Sequence, residues 1–380
     1  MKPNHKTHRA FTLSAIAITA FALSSFGTVS AAEQQIPKPD GKPADMSKPV
    51  QVFLILGQSN AVGLGSVTGD KPGTLENAVK TEKLYPFLID DAGAWTERKD
   101  VRNVQVMFAR GSMSTQHNEW MAVTGKTLGV EYGVGHQLGN ALSEPVMILK
   151  SCIGNRSLGW DLLPPGSKKF LADVKQRDGS VKKMVIAGYK DAPDIWEADA
   201  AKGVDTPPPP FVDKTGKPVD WYAGKQWDDD IADAKKVLEE LDKHYPGAKG
   251  YEVAGIFWWQ GEKDAGNEVH ADNYEKNLVH LIKTLRTEFK APKAKFVMGT
   301  IGEVTKGSAG PSGKILDAMM AVDGKSGKYP EFKGNVTTVY THDMARGGGG
   351  NGHYNKDARV YMDVGLAMGA AMLDLLKSNK

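Results

Sequence analysis

Four short stretches of this 380-residue chain carry the kinds of side chain that ester chemistry uses. Leu54–Asn60 (LILGQSN) is apolar until it stops in a glycine, an amide, a serine and another amide. Gly57 and Gly63 permit a tight turn there that exposes the Ser59 hydroxyl. The spacing is not the Gly-x-Ser-x-Gly elbow, so that geometry is not assumed. Ser151–Leu158 (SCIGNRSL) turns at Gly154, where N–H groups unencumbered by a Cβ can point at a developing oxyanion. Phe257–Asp264 (FWWQGEKD) sets the Gln260 amide and the Glu262 carboxylate beside an aromatic wall. The last stretch, GGGGNGHYN, holds His353 in a glycine-rich loop, where packing gives a histidine little reason to be; His342 is its one serious rival. Singly, GQSN and SCIGNRSL each read as an ordinary strand-end turn. Together they supply a nucleophile, oxyanion donors and a base, the parts needed for acyl transfer through a covalent ester.

Such groups act together only if a scaffold brings strand ends to one edge. Short apolar runs at Val52–Leu56, Val104–Phe108, Val146–Ser151, Val253–Trp259, Lys295–Ile301 and Val336–Tyr340 suit strands covered on both faces. Between them, helical periodicity runs through Tyr132–Leu142, Asp228–His244, Ala271–Phe289 and Lys356–Leu376. Strands alternating with helices predict an α/β fold, a parallel sheet wrapped on both sides. Ligands of such sheets bind beyond the carboxyl ends of the strands, where the four stretches fall.

Residues 164–224 break the rhythm with PPG, PPPP and many Asp and Lys, and are expected to form a long insertion or lid. The N-terminus is different again. Lys2, Lys6 and Arg9 precede a mostly apolar run, and small residues follow near Ala31 and Ala32. That pattern predicts an export signal over residues 1–31, hence a secreted or periplasmic protein, and then a flexible leader over 32–49. The main domain is expected over 50–380. Losing the signal removes three basic and no acidic residues, which leaves 45 of each. A neutral balance gives no basic surplus for nucleic acid, nor for a membrane once the signal is cleaved. Cys152 is the lone cysteine, so no internal disulfide is possible. With no histidine pair at helical spacing and no Cys-x-x-Cys, neither a metal nor another cofactor is expected.

The chain resembles the SGNH-hydrolase superfamily, and within it the sialate O-acetylesterase group, also called carbohydrate esterase family six. The resemblance rests on GQSN after a hydrophobic strand, IGNRSL where the family has a Gly-Gly turn, WWQGE, and a late histidine before the final helix, in the family's order. It implies a three-layer αβα sandwich with a flavodoxin-like parallel sheet, and metal-free removal of acetyl groups from an acylated carbohydrate. It further implies Ser59 as nucleophile, with the N–H groups of Ser59 and of Gly154 or Asn155, and the Gln260 amide, as oxyanion donors. His353 is then the base. Gln58, Asn60, Arg156 and Trp160 are expected substrate contacts, and Trp258 or Trp259 could offer a further flat face to a sugar.

One departure matters most. The family's acid lies three residues before the histidine, where this chain has Gly350. Asp343, at the end of the last strand, is the first candidate to orient His353, Glu262 the second, and a Ser-His dyad steadied by a backbone carbonyl the third. The missing acid also leaves open a carbohydrate-binding protein without turnover. A lipid or short-chain carboxylesterase is a further alternative, although the insertion has no long apolar lid. The oligomeric state is not legible in the sequence.

Overall fold

The computed structural model describes Met1 and residues 36–109, 111–346 and 353–378. The expected export signal, Gly350 and most of the glycine-rich loop lie outside the described residues. Residues 36–49 form no helix or strand, yet Ile36 is buried in the core and the Asp45 N–H donates to the Ser143 carbonyl (2.9 Å). The described part of the expected leader is therefore tied to the body.

The main sheet contains β1 (Val50–Gly57), β3 (Glu97–Ala109), β4 (Ser112–Ala122), β6 (Val146–Ser151), β10 (Tyr251–Trp259), β11 (Lys295–Gly299) and β12 (Val336–Val339). Two-residue strands β2 (Gly65–Ser66) and β5 (Thr127–Leu128) pair separately. The spatial order is β12-β11-β10-β1-β6-β3-β4, parallel throughout except for the β3–β4 hairpin. Set that hairpin aside, and five strands run in the 2-1-3-4-5 order of flavodoxin-like sheets, whose switch point is the crevice between the first and third strands. Here those strands are β1 and β10.

The apolar runs are continuous because both faces are covered. Leu54, Leu56 and Trp258 pack on one side with α4 (Lys225–Glu239), α6 (Glu268–Glu288) and α7 (Gly310–Val322). Phe53, Ile55, Phe257 and Trp259 pack on the other with α3 (Glu131–Ala141) and α8 (Ala358–Lys377). The expected αβα sandwich is the observed fold. Local signals set the helix starts: Asn267 accepts the Val269 and His270 N–H groups ahead of α6, and Asp357 accepts that of Arg359 ahead of α8. The pattern read over Asp228–His244 is broken at Glu240, where α5 (Leu241–His244) begins.

The insertion is not the structureless loop its composition suggests. It holds an antiparallel sheet of β7 (Phe170–Lys175), β8 (Val181–Ile186) and β9 (Ile195–Glu197). Leu163, Val185, Ala187, Trp196 and Ala223 give it a small core of its own.

Candidate active site

The three parallel strands β1, β6 and β10 deliver GQSN, IGN and QGE to the same edge. Gly57 makes the closest approach: at φ +145, a Cβ there would stand 2.2 Å from the Trp259 carbonyl oxygen. Gly63, at φ +95, likewise leaves no room, since its Cβ would fall 2.4 Å from the Cα of Gly129. Between them Ser59 begins the one-turn helix α1 (Ser59–Val62), which is held from below. The Lys150 Nζ donates to the Val62 carbonyl (2.7 Å) and to Glu131 Oε2 (2.6 Å), an ion pair with almost no exposure. α2 (Leu75–Lys80) lies outside this arrangement, under the C-terminal helix.

Ser59 Oγ lies 2.8 Å from His353 Nε2. The histidine enters on a strained turn: His353, Tyr354, Asn355 and Lys356 have φ of 61, 56, 55 and 59°. Left-handed backbone costs a non-glycine residue roughly 1–2 kcal/mol, so neighbours must hold it. Tyr354 is buried, its ring stacked on Trp259 at 5.8 Å and 13°, and its hydroxyl accepts the Gly302 N–H (3.1 Å). The Tyr361 hydroxyl is shared between Asn60 Oδ1 (3.1 Å) and the His353 carbonyl (3.3 Å), which links the serine turn to the histidine turn. His342 is committed elsewhere, its Nδ1 donating to the Gly302 carbonyl (2.7 Å).

Neither carboxylate expected to orient His353 meets it among the described residues. Asp343 is exposed in a short 3-10 turn and makes no side-chain hydrogen bond among the described residues. Glu262 accepts from Gln58 Nε2 and Asn60 Nδ2, both at 2.6 Å, and so grips the two residues flanking Ser59. Its burial, with Glu303 nearby, raises its pKa to about 7.

Gln260 is also displaced from its expected role. It is fully buried, and its amide nitrogen donates to the Arg156 carbonyl (2.9 Å) and to Asp264 Oδ2 (2.5 Å). Both N–H groups are used, leaving none for an oxyanion. Gln260 instead braces the turn after β6, together with Asp264, which also accepts the N–H groups of Leu158 and Gly159 (2.8 Å each). Burial raises the Asp264 pKa against these donors. The N–H groups of Ser59 and Gly154 have no acceptor among the described residues. A Cβ on Gly154 would stand 3.4 Å from that of Ser59, so the two turns touch.

Ser59, Gly154, Glu262 and His353 line a cavity of about 960 Å³. Of the expected substrate contacts, Gln58, Asn60, Arg156 and Trp160 all border it, as does Asn155. The Gln58 Oε1 is buried there without a donor among the described residues. Trp258 and Trp259 do not border it; each is 1% exposed, their indole N–H groups donating to the Tyr274 hydroxyl and the Thr300 carbonyl. Asp194, Trp221, His270 and Glu303 also line the cavity and were not singled out from sequence. They lie in the insertion, at a helix start and in a turn, where no periodicity or motif marks them. Among the described residues no cluster of three or more His, Cys, Asp or Glu is placed to hold a metal, and no helix is long and apolar enough to cross a membrane.

Residues 214–374 match the model of the family described as carbohydrate esterase, sialic acid-specific acetylesterase. No curated protein matches the chain. Similar solved structures include a protein from Arabidopsis thaliana (14% identity, 86% of this chain and 98% of that chain, TM-score 0.45). A carbohydrate acetylesterase from Xanthomonas citri is 17% identical over 86% of this chain and 56% of that chain, with TM-score 0.46. NanS is 12% identical over 89% of this chain and 99% of that chain, with TM-score 0.44.

Proposed function

We propose, from the chain's resemblance to the sialate O-acetylesterase group of carbohydrate esterases, that it is an exported serine esterase that removes acetyl groups from carbohydrate. The observation that carries this reading is the Ser59–His353 contact in the floor of a cavity at the sheet's switch point. The His353 Nε2 accepts the hydroxyl proton as Ser59 Oγ attacks the acetyl carbonyl. The N–H groups of Ser59 and Gly154 take the oxyanion. As the acyl C–O bond breaks, the imidazolium protonates the departing sugar oxygen, which leaves as a hydroxyl, and a water activated by the same nitrogen then releases acetate from Ser59. Gln58, Asn60, Arg156 and Trp160 contact the substrate, and export follows from the signal over residues 1–31. His353 is steadied through its backbone, by Tyr361 and the Tyr354–Trp259 stack, rather than by Asp343 or Glu262.

The test is acetate release from an O-acetylated sugar alongside hydrolysis of p-nitrophenyl acetate. Turnover of both is expected. Sugar binding without turnover of either ester would make the chain a carbohydrate-binding protein on the same fold.

A further inference from the structure

The insertion contributes two side chains, Asp194 and Trp221, to the cavity that holds Ser59. Trp221 is fixed by its indole N–H, which donates to Asp161 Oδ1 (3.1 Å), and the Arg156 guanidinium lies 4.8 Å over its ring. Arg156 is held at its edges too. Its Nε donates to Gln226 Oε1 (2.9 Å), and its Nη1 to the Asn155 carbonyl (3.3 Å). Gln226 is itself anchored, its amide nitrogen donating to Asp230 Oδ1 (2.7 Å). Among the described residues Arg156 forms no ion pair and its Nη2 has no acceptor. A planar cation clamped on one face and two edges, with one edge open, is pre-organised to meet an oxygen of a ligand. Trp160, which lines the same cavity, is half-buried and stands edge-on to Phe211 (6.3 Å, 88°). Asp194 adds an acceptor, held by His270 Nε2 at 3.1 Å.

Aromatic side chains that line one cavity with a fixed donor and a fixed acceptor suit a pyranose ring, whose C–H face is apolar and whose rim is hydroxyl. The space fits as well. At about 960 Å³ the cavity is at the top of the roughly 300–1,000 Å³ range of small-molecule pockets. The ester itself needs only the part around Ser59.

We infer that Trp160, Arg156, Trp221 and Asp194 form a second sugar subsite, so that the preferred substrate is an acetylated oligosaccharide rather than a single acetylated sugar. Trp221 acts in it as a positioning residue, holding the Arg156 guanidinium. This rests on the esterase reading but is tested apart from it.

The experiment compares kcat/KM for an acetylated oligosaccharide, the acetylated monosaccharide of the same sugar, and p-nitrophenyl acetate. The wild-type protein should favour the oligosaccharide over the monosaccharide by at least tenfold. Trp221→Ala and Arg156→Lys should each cut that preference by about tenfold, through KM. Trp221→Phe keeps an aromatic face beneath the guanidinium and should retain most of it. No wild-type preference, or an equal loss on all three esters, overturns the subsite. If Trp221→Ala does not fold, Arg156→Lys decides. Should the wild-type protein hydrolyse none of the esters, the esterase reading falls, and calorimetry with the deacetylated oligosaccharide still judges the subsite. Binding weakened by Arg156→Lys supports it; binding unchanged overturns it.

Discussion

Ser59 Oγ and His353 Nε2 stand 2.8 Å apart although 294 positions of sequence separate them. The serine arrives on the first strand of the sheet and the histidine just before the last helix. Ser59→Ala should lower turnover of p-nitrophenyl acetate by about 10⁶, the cost of a lost serine-hydrolase nucleophile. His353→Ala should fall to a similar floor. His342→Ala should keep near wild-type turnover, because that ring is bonded to the Gly302 carbonyl. A severe loss in His342→Ala with a mild one in His353→Ala would move the base to His342.

Gln260→Ala tests a brace rather than an oxyanion donor. Removing the amide strips a donor from buried Asp264 and from the Arg156 carbonyl. Leaving such groups unpaired costs about 1–3 kcal/mol, so the midpoint of chemical unfolding should drop measurably. Were Gln260 the donor, turnover would instead fall about 10²–10³ with stability unchanged.

How much of this was legible beforehand depended on how many neighbours each feature needs. The main strands were readable because both of their faces are buried, which writes an unbroken apolar run. β4 was not, because Ser112–Ala122 is a polar edge strand largely open to solvent. β7 escaped for a related reason: only alternate residues of Phe170–Lys175 are covered. In the site, GQSN and the late histidine were visible as groups with no packing duty. The role of Gln260 was misread because an amide's partners are set by tertiary contacts, here with Arg156 and Asp264. Trp221 was missed because it lies within an aperiodic insertion, and nothing in its own neighbourhood ties it to Arg156.

Asp343→Asn should leave turnover within about threefold, since the exposed Asp343 makes no side-chain hydrogen bond among the described residues. A strict orienting acid would cost on the order of 10⁴. A loss of tenfold or more in this variant would restore Asp343 as the partner of His353.

Glu262 should declare itself through pH. Its folded pKa is raised to about 7 from an ordinary 4.5, chiefly by burial. Between these values the folded chain keeps a proton that the unfolded chain has lost, so this group makes stability fall as pH rises across that window. Glu262→Gln cannot titrate and should lack that component. The Tm of the wild-type protein minus that of Glu262→Gln should therefore decline from pH 4.5 to 7 and level off above. A difference that rises with pH instead would mean that the Gln58 and Asn60 donors outweigh the burial. Above pH 7, where Glu262 is ionised, turnover should fall about tenfold in the same variant, since the residues on either side of Ser59 lose a charged acceptor.

The Lys150–Glu131 pair offers a test of how the serine turn is supported from beneath. Both side chains are buried, and the lysine also caps the Val62 carbonyl at the end of α1. Lys150→Met would leave Glu131 as an uncompensated buried charge, at a cost of about 3–5 kcal/mol. That destabilisation should be read from chemical denaturation above pH 7, where an unpaired carboxylate is least able to escape by protonation. The double variant Lys150→Met with Glu131→Gln removes both charges and should recover most of the loss, because a neutral pair escapes the desolvation penalty. Recovered stability need not bring recovered activity: with no ammonium on the Val62 carbonyl, the Ser59 turn loses an anchor 2.7 Å long. We expect the double variant to fold near wild-type stability yet turn over several-fold more slowly. If stability and turnover return together, the ion pair serves the fold alone and the turn holds its shape through Gly57 and Glu262.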